Sequence, residues 1–424
     1  MARFAPPTAG LPLHLRDLFP GRAPCLENDL AAFLGAPPVQ IECSGTAAFI
    51  IALRTLSALA PDRDEVVVPA YTCPLIAQAV AACDLKLKLA DLSPDSLDMS
   101  PNALDALCSA RTLAVVPTHL GGRVSDIGPA MQAARRVGAW VIEDAAQALG
   151  ARMNADPVGL QGDIGFYSLA VGKGLSIYEG GALIARDEGL RQALMETRRR
   201  LIPDSLAMEA RRIAELVGYA LLYRPGALRW SYGAPLRQAL SRGDWSAAAG
   251  DDFPDAIPLH RPGRWRKQVG AEALKRLPAF LAATEAQALT RLETLKQIPG
   301  VEVVKDSAPG ARGVWPILML RLPDQATRDA VLAHGWEQGL GLSPPFLRAL
   351  PDYRRYASVV PPCAPDALPN ARDWAGRLLA VSNSPWLGDA DFARVCDIIR
   401  RAVEGRLQAR PCSLRFSSAS RSTI

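Results

Sequence analysis

The chain has 424 residues, 49% of them hydrophobic, with 48 Lys plus Arg against 43 Asp plus Glu. That is ample apolar material for a large core, and it excludes a disordered chain or a disulfide-stapled miniprotein. A net charge of +5 with no dense basic block gives no footprint for nucleic acid, and an acidic small substrate accounts for it equally well.

At about 100–200 residues per domain, the length implies two or three domains, or one large domain with a smaller companion. Residues 1–30 read as an N-terminal segment. From about 39 to 186, short β-branched runs alternate with helical stretches. Val39–Cys43 is a strand and Ala47–Leu59 a helix with apolar residues at helical spacing. The run Glu65-Val66-Val67-Val68 is the next strand, closed by Pro69, with a helix from Ile76 to Ala82 behind it. Strands at Lys86–Ala90 and Thr112–Val116 flank a helix near Asn102–Leu107. A helix at Asp126–Val137 leads to the strand Ala139–Glu143. This order predicts an α/β fold, a mostly parallel sheet in a large domain spanning 31–290, with helices on both faces.

Residues 195–270 read as a helical insertion rich in Arg and Ala. From 291 to 405 shorter strands return (Val301–Val304, Val314–Leu320), with helices at Gln325–His334 and Asp389–Val403, as expected of a smaller α+β domain. Residues 406–424 lack periodicity and read as a disordered tail. No apolar run approaches the roughly 20 residues that span a bilayer. The first residues lack the apolar stretch of a secretory signal, so a cytoplasmic protein without a transmembrane segment is expected. The eight cysteines and four histidines are dispersed, and they signal neither a disulfide framework nor a metal site.

Ligands of parallel sheets bind beyond the carboxyl ends of the strands, and three post-strand segments there concentrate chemistry. Ser44-Gly45-Thr46 opens a helix, where free N–H groups and the helix dipole favour an anion; an ordinary N-cap has the same composition. Asp144, at the end of the most apolar strand, is costly to bury unless it meets a cation, such as a protonated ring nitrogen, and Gln147 follows within reach of a ring hydroxyl. Only seven lysines occur in the chain. One of them, Lys173, sits among Ala170, Val171, Gly172, Gly174 and Leu175, where desolvation lowers the amine pKa. A lysine that merely snorkels to water is the alternative. Taken together, a phosphate cradle, a partner for a pyridine nitrogen and an apolar-flanked lysine meet the needs of pyridoxal phosphate.

Five ordered blocks carry a resemblance: Ser44–Ala48, Asp64–Thr72, Pro117–Gly122, Glu143–Ala151 and Gly162–Ile164 with Ser168, Lys173 and Glu179–Ala182. They look like the DegT/DnrJ/EryC1/StrS aminotransferases, fold-type I enzymes that use pyridoxal 5'-phosphate, mostly on nucleotide-linked keto sugars. The resemblance implies Lys173 as the Schiff-base lysine and Asp144 as the partner of the pyridine nitrogen. It also implies Gln147 beside the phenolic oxygen, and Gly45, Thr46 and Ser168 as phosphate ligands. Glutamate as amine donor, a homodimer and a role in surface polysaccharide or lipopolysaccharide assembly follow from it as well.

Two departures stand out. Cys73 occupies the position where the family carries a ring-stacking aromatic, with Tyr71 the nearest candidate to replace it. The signature Gly-x-Asn-x-Arg-Met, by which a neighbouring subunit completes the site, is missing; the nearest stretch is Pro262–Gly270. Its basic residues, like Arg198-Arg199-Arg200, fit either a substrate phosphate or a solvated face. The helical stretch around Arg211–Tyr223 reads as core packing, with a dimer or membrane surface as alternatives. Two other functions stay open: a family member that keeps the fold as a regulator or scaffold, and a sugar dehydratase. Lys173 argues against the second, because the dehydratases replace that lysine with histidine.

Overall fold

The structure is a computed structural model and describes residues 4–21 and 25–407. The predicted tail falls outside this range from residue 408 onward. In chain order the strands of the first half are β1 (Gln40–Glu42), β2 (Glu65–Pro69), β3 (Lys86–Ala90), β4 (Thr112–Val115) and β5 (Trp140–Asp144). A small pair follows, β6 (Arg152–Met153) and β7 (Asp156–Pro157), and then β8 (Ile164–Ser168) and β9 (Gly181–Ala185). The second half adds β10 (Glu302–Val303), β11 (Ala311–Arg312), β12 (Ile317–Arg321), β13 (Leu342–Ser343) and β14 (Leu378–Ser382).

Seven strands form one sheet in the order β1-β9-β8-β5-β4-β2-β3. Its pairs are parallel from β3 through β8, whereas β9 runs antiparallel to both β8 and β1. The reversal of β9 delivers its first residue, Gly181, to the end where β1 and β8 finish, opposite Glu42 and Ser168. The sheet is therefore mostly parallel, as the alternating pattern predicts, and its central strands are buried because helices cover both faces. Strands β10, β12, β14 and β13 form a separate antiparallel sheet, and β11 joins β6 and β7 in a third. Position 290 lies inside the helix Leu277–Lys296 rather than in a linker.

Local chemistry explains the boundaries. Ser44 Oγ accepts from the Ala47 N–H at 2.9 Å and starts the helix Gly45–Leu59 two residues earlier than periodicity alone predicts. Gly138, at φ 68°, closes the helix Gly128–Val137 in the left-handed conformation that favours glycine.

Beneath the sheet a buried carboxylate gathers donors from three segments. Glu143 Oε2 accepts from His119 Nε2 at 3.1 Å and from the Gly159 N–H at 2.7 Å, and Oε1 accepts from the Gly162 N–H at 2.5 Å. The Ser125 N–H donates to His119 Nδ1 at 3.1 Å, which places the ring proton on Nε2, facing Glu143. Glu143→Ala leaves these buried donors without an acceptor. It is expected to cost about 3–5 kcal/mol of folding stability, measurable as a lowered urea midpoint with an unchanged m-value.

Candidate active site

Lys173 lies on the loop between β8 and β9. That loop is closed by Leu169 N–H to Gly180 O (2.7 Å), Ile177 N–H to Leu169 O (3.1 Å) and Val171 N–H to Tyr178 O (3.1 Å). Gly172 (φ 78°) turns the chain just before the lysine. The N-terminal segment straps the loop from outside. The Leu11 N–H donates to Gly174 O at 3.2 Å, and a Cβ on Gly10 would stand 2.9 Å from Lys173 O. Five of the other lysines pair with carboxylates, namely Lys86, Lys88, Lys267, Lys275 and Lys296. Among the described residues Lys173 makes no ion pair. Burial strips water from its amine and lowers the pKa, against the weaker opposing influence of Cys73 and Asp144.

Asp144 is held by its own backbone, its N–H donating to Pro117 O and its C=O accepting from His119 N–H, both at 2.9 Å. The side chain is 4% exposed. Desolvation pushes its pKa up to about 6, while the Ala146 N–H (3.0 Å), Lys173 and His119 pull the other way. Asp144, Lys173 and Cys73 therefore share one electrostatic neighbourhood.

The turn Ser44-Gly45-Thr46 meets the ends of β8 and β9. A Cβ on Gly45 would lie 3.4 Å from Ser168 Cβ, and a Cβ on Gly181 would lie 2.3 Å from Ser44 O, so only glycine fits at 181. Ser168 Oγ accepts weakly from Ala170 N–H at 3.3 Å and keeps its own proton to donate. The N–H groups of Gly45 and Thr46 open a helix and have no partner within it. Gln147 Oε1 accepts from the Gly121 N–H at 2.7 Å, which fixes the amide orientation and makes its NH₂ the donor end. Thr72 and Thr118, which the family-like blocks include without a role, meet at 3.4 Å, Thr72 being the residue before Cys73.

Buried and half-buried residues thus supply a desolvated amine, a buried carboxylate, an amide donor and helix-opening N–H groups, with hydroxyls beside them. A separate cavity of about 370 Å³, lined among others by Asp98, Arg123, Lys305 and Asp306, includes neither Lys173 nor Asp144. Among the described residues no cluster of His, Cys, Asp and Glu could hold a metal ion.

Residues 22–219 and 267–400 match the model of the DegT/DnrJ/EryC1/StrS aminotransferase family. The chain belongs to that family. Its fold is fold-type I, shared with E. coli GDP-4-keto-6-deoxy-D-mannose-3-dehydratase with bound hydrated PLP, at TM-score 0.66 and 16% identity over 88% of this chain and 90% of that one. A UDP-N-acetyl-3-dehydro-alpha-D-glucosamine 3-aminotransferase of Acidithiobacillus ferrooxidans is 36% identical over 41% of this chain and 46% of its own length. The spore coat polysaccharide biosynthesis protein SpsC of Bacillus subtilis is 26% identical over 89% of both chains. Alignments to the first relatives span less than half of those proteins' length.

Several family-derived expectations change against the geometry. Tyr71 does not stand in for the stacking aromatic. Its ring is 2% exposed and edge-on to Phe346, and its hydroxyl donates to Phe346 O at 2.9 Å while accepting from Phe346 N–H at 3.2 Å. Arg266 meets no solvent and faces no phosphate. It is fully buried and forked onto Glu209 at 2.8 and 2.9 Å, with Glu179 O at 2.6 Å. Lys267 pairs with Glu27 at 2.6 Å. Arg198 is committed to the buried Glu42 at 2.8 Å, while Arg199 and Arg200 are exposed.

The segment 220–266, which the family model leaves unmatched, reaches the Cys73 side of the site. Asp251 is 3% exposed and accepts from Leu347 N–H at 2.7 Å and from the Tyr353 hydroxyl. Its charge acts on both Tyr71 and Cys73. Pro254 O and Pro258 O continue this contact to Gln78 Nε2 and Cys43 Sγ.

Two predictions come from these constraints. Asp144 binds its proton more tightly folded than unfolded, so its contribution to the stability of the cofactor-free protein falls as pH rises from 3.8 to about 6 and is constant above. Asp144→Asn should make the pH 4 to pH 7 fall in stability shallower than in the parent and stabilise the cofactor-free protein at neutral pH by on the order of 3 kcal/mol, read from denaturant titrations at the two pH values. Gly10→Val should displace the Lys173 loop, detected as faster amide hydrogen exchange over 169–180 with the sheet unchanged.

Proposed function

We propose that this protein is a pyridoxal 5'-phosphate-dependent aminotransferase that moves an amino group from glutamate to a nucleotide-linked keto sugar for surface polysaccharide or lipopolysaccharide synthesis. We read it as a cytoplasmic homodimer with a large cofactor domain (31–290) and a smaller one (291–405). The observation that carries the reading is the shared neighbourhood of a desolvated, unpaired Lys173 and a buried Asp144 beside the cradle at Gly45, Thr46 and Ser168. The sugar acceptor is supported by the names of the relatives above.

The residues present fit the cofactor. Lys173 would hold it covalently, and Asp144 would pair with its ring nitrogen. The Gln147 NH₂ would donate to the ring oxygen, while Ser168 and the N–H groups of Gly45 and Thr46 would take the phosphate. When bound, the cofactor supplies an electron sink for the carbon from which a proton is removed. The chain's own groups do the rest. Asp144, ionised at neutral pH, holds the proton on the ring nitrogen. Lys173 Nζ, whose proton affinity burial lowers, would take the proton from the amino-acid α-carbon and deliver one to the sugar carbon that receives nitrogen. Cys73 contributes volume and no charge, since burial raises its thiol pKa to about 12.

Reconstituted protein should show a visible absorption band that Lys173→Ala abolishes. The same variant should lose glutamate-dependent amination of nucleotide keto sugars by at least about a hundredfold. Protein that stays colourless with added cofactor would sink the reading, and a band without amination of any keto sugar in a panel would point to a regulator or scaffold. Cofactor affinity should weaken as pH falls through about 6, where Asp144 takes up its proton. Affinity that does not vary with pH in that range would remove Asp144 from the proposed role.

A further inference from the structure

The segment outside the family match opens with a tip that the catalytic reading leaves without a task. Residues 216–243 contain four arginines (Arg224, Arg229, Arg237, Arg242) and not one Asp or Glu. Within this stretch the helix Leu206–Leu222 ends and the short helices Leu228–Ser231 and Gly233–Ser241 follow. Three large apolar side chains point outward: Leu221 is 50% exposed, Leu222 54% and Trp230 62%. They form one patch. Ser231 Oγ donates to Leu222 O at 3.3 Å, the Arg229 guanidinium lies 4.7 Å over the Trp230 ring, and Arg237 donates to Arg229 O at 3.3 Å.

The tip is a built feature. Behind it the Tyr219 ring packs tilted against Tyr223 at 4.8 Å, and Tyr223 tilted against Trp386 at 5.6 Å, while Leu228 and Leu236 enter the core shared with Trp336. The nearest carboxylates along the chain are occupied. Glu215 accepts from Arg211 and Arg212, and Asp244 caps the helix Trp245–Ala249.

We propose that this tip docks on the surface of an anionic phospholipid bilayer, with Leu221, Leu222 and Trp230 entering the headgroup boundary and the arginines meeting lipid phosphates. A tryptophan between leucines and arginines suits that boundary, where amphipathic rings and guanidinium groups are stable. Among the described residues no helix is long and apolar enough to cross a membrane, so the contact is a surface one. A second copy of the chain is a poorer occupant, because a two-fold contact would set this stretch, with four arginines and no carboxylate of its own, against itself. Nucleic acid would leave the exposed leucines without a partner.

The test uses the full chain and sedimentation with phosphatidylcholine vesicles, with and without phosphatidylglycerol. The protein should partition at least about tenfold more strongly onto the anionic vesicles at low salt, and the difference should shrink as salt rises. The triple variant Leu221→Ser, Leu222→Ser, Trp230→Ser should lose that partitioning while keeping its melting temperature and cofactor absorption. Should the triple variant not fold, brominated phosphatidylglycerol provides the second readout: it should quench tryptophan fluorescence in the parent and less in Trp230→Phe. Equal partitioning of parent and variants overturns the proposal. So does a variant that turns a dimer into a monomer with vesicle binding unchanged, which would make the patch a subunit interface.

Discussion

A β-strand sends consecutive side chains to opposite faces, so Glu143 and Asp144 leave the end of β5 in opposite directions and meet different surroundings. Glu143 is saturated by donors from His119, Gly159 and Gly162, which ties three segments together. Asp144 receives little such support and carries an unfavourable desolvation. The first carboxylate is taken up by the bonds that hold the fold, and the second is left with a single backbone donor. His119 serves both, bonding Glu143 through its ring and Asp144 through its backbone N–H.

The same division recurs around Lys173. Its loop is fixed by main-chain bonds to itself and to Leu11, so the amine is positioned without an ion pair that would hold it protonated. A buried carboxylate closer by would have raised the pKa and kept the lysine charged. Bringing backbone rather than charge to the lysine is what the flanking Ala, Val and Gly residues permit, and it explains why the strap includes Gly10.

Much of this was legible in the chain because the sheet core announces itself. Val66, Val67 and Val68 read as a buried strand, and Lys173 stands out as a lysine without acidic neighbours. What stayed hidden depends on contacts distant in sequence. Nothing around Gly10 indicates that it presses on Lys173 O. Tyr71 looked available because its partner, Phe346, lies 275 residues away. The basic stretch 262–270 read as charge for solvent or phosphate, yet Arg266 is buried against Glu209, a pairing that depends on how two helices cross. Ser44 was read as part of an anion turn and as an N-cap; it caps the helix, while the neighbouring N–H groups of Gly45 and Thr46 are left over, so the two readings are compatible.

The contact of Asp251 with Leu347 and Tyr353 separates two kinds of evolutionary freedom. The lysine, the aspartate and the cradle lie on segments shared across the family, where the sheet fixes their spacing. The wall on the Cys73 side is assembled from the segment 220–266, which the family model leaves unmatched, joined to the rest by a few polar contacts. The sequence of that wall can therefore change while the strands beneath keep their packing.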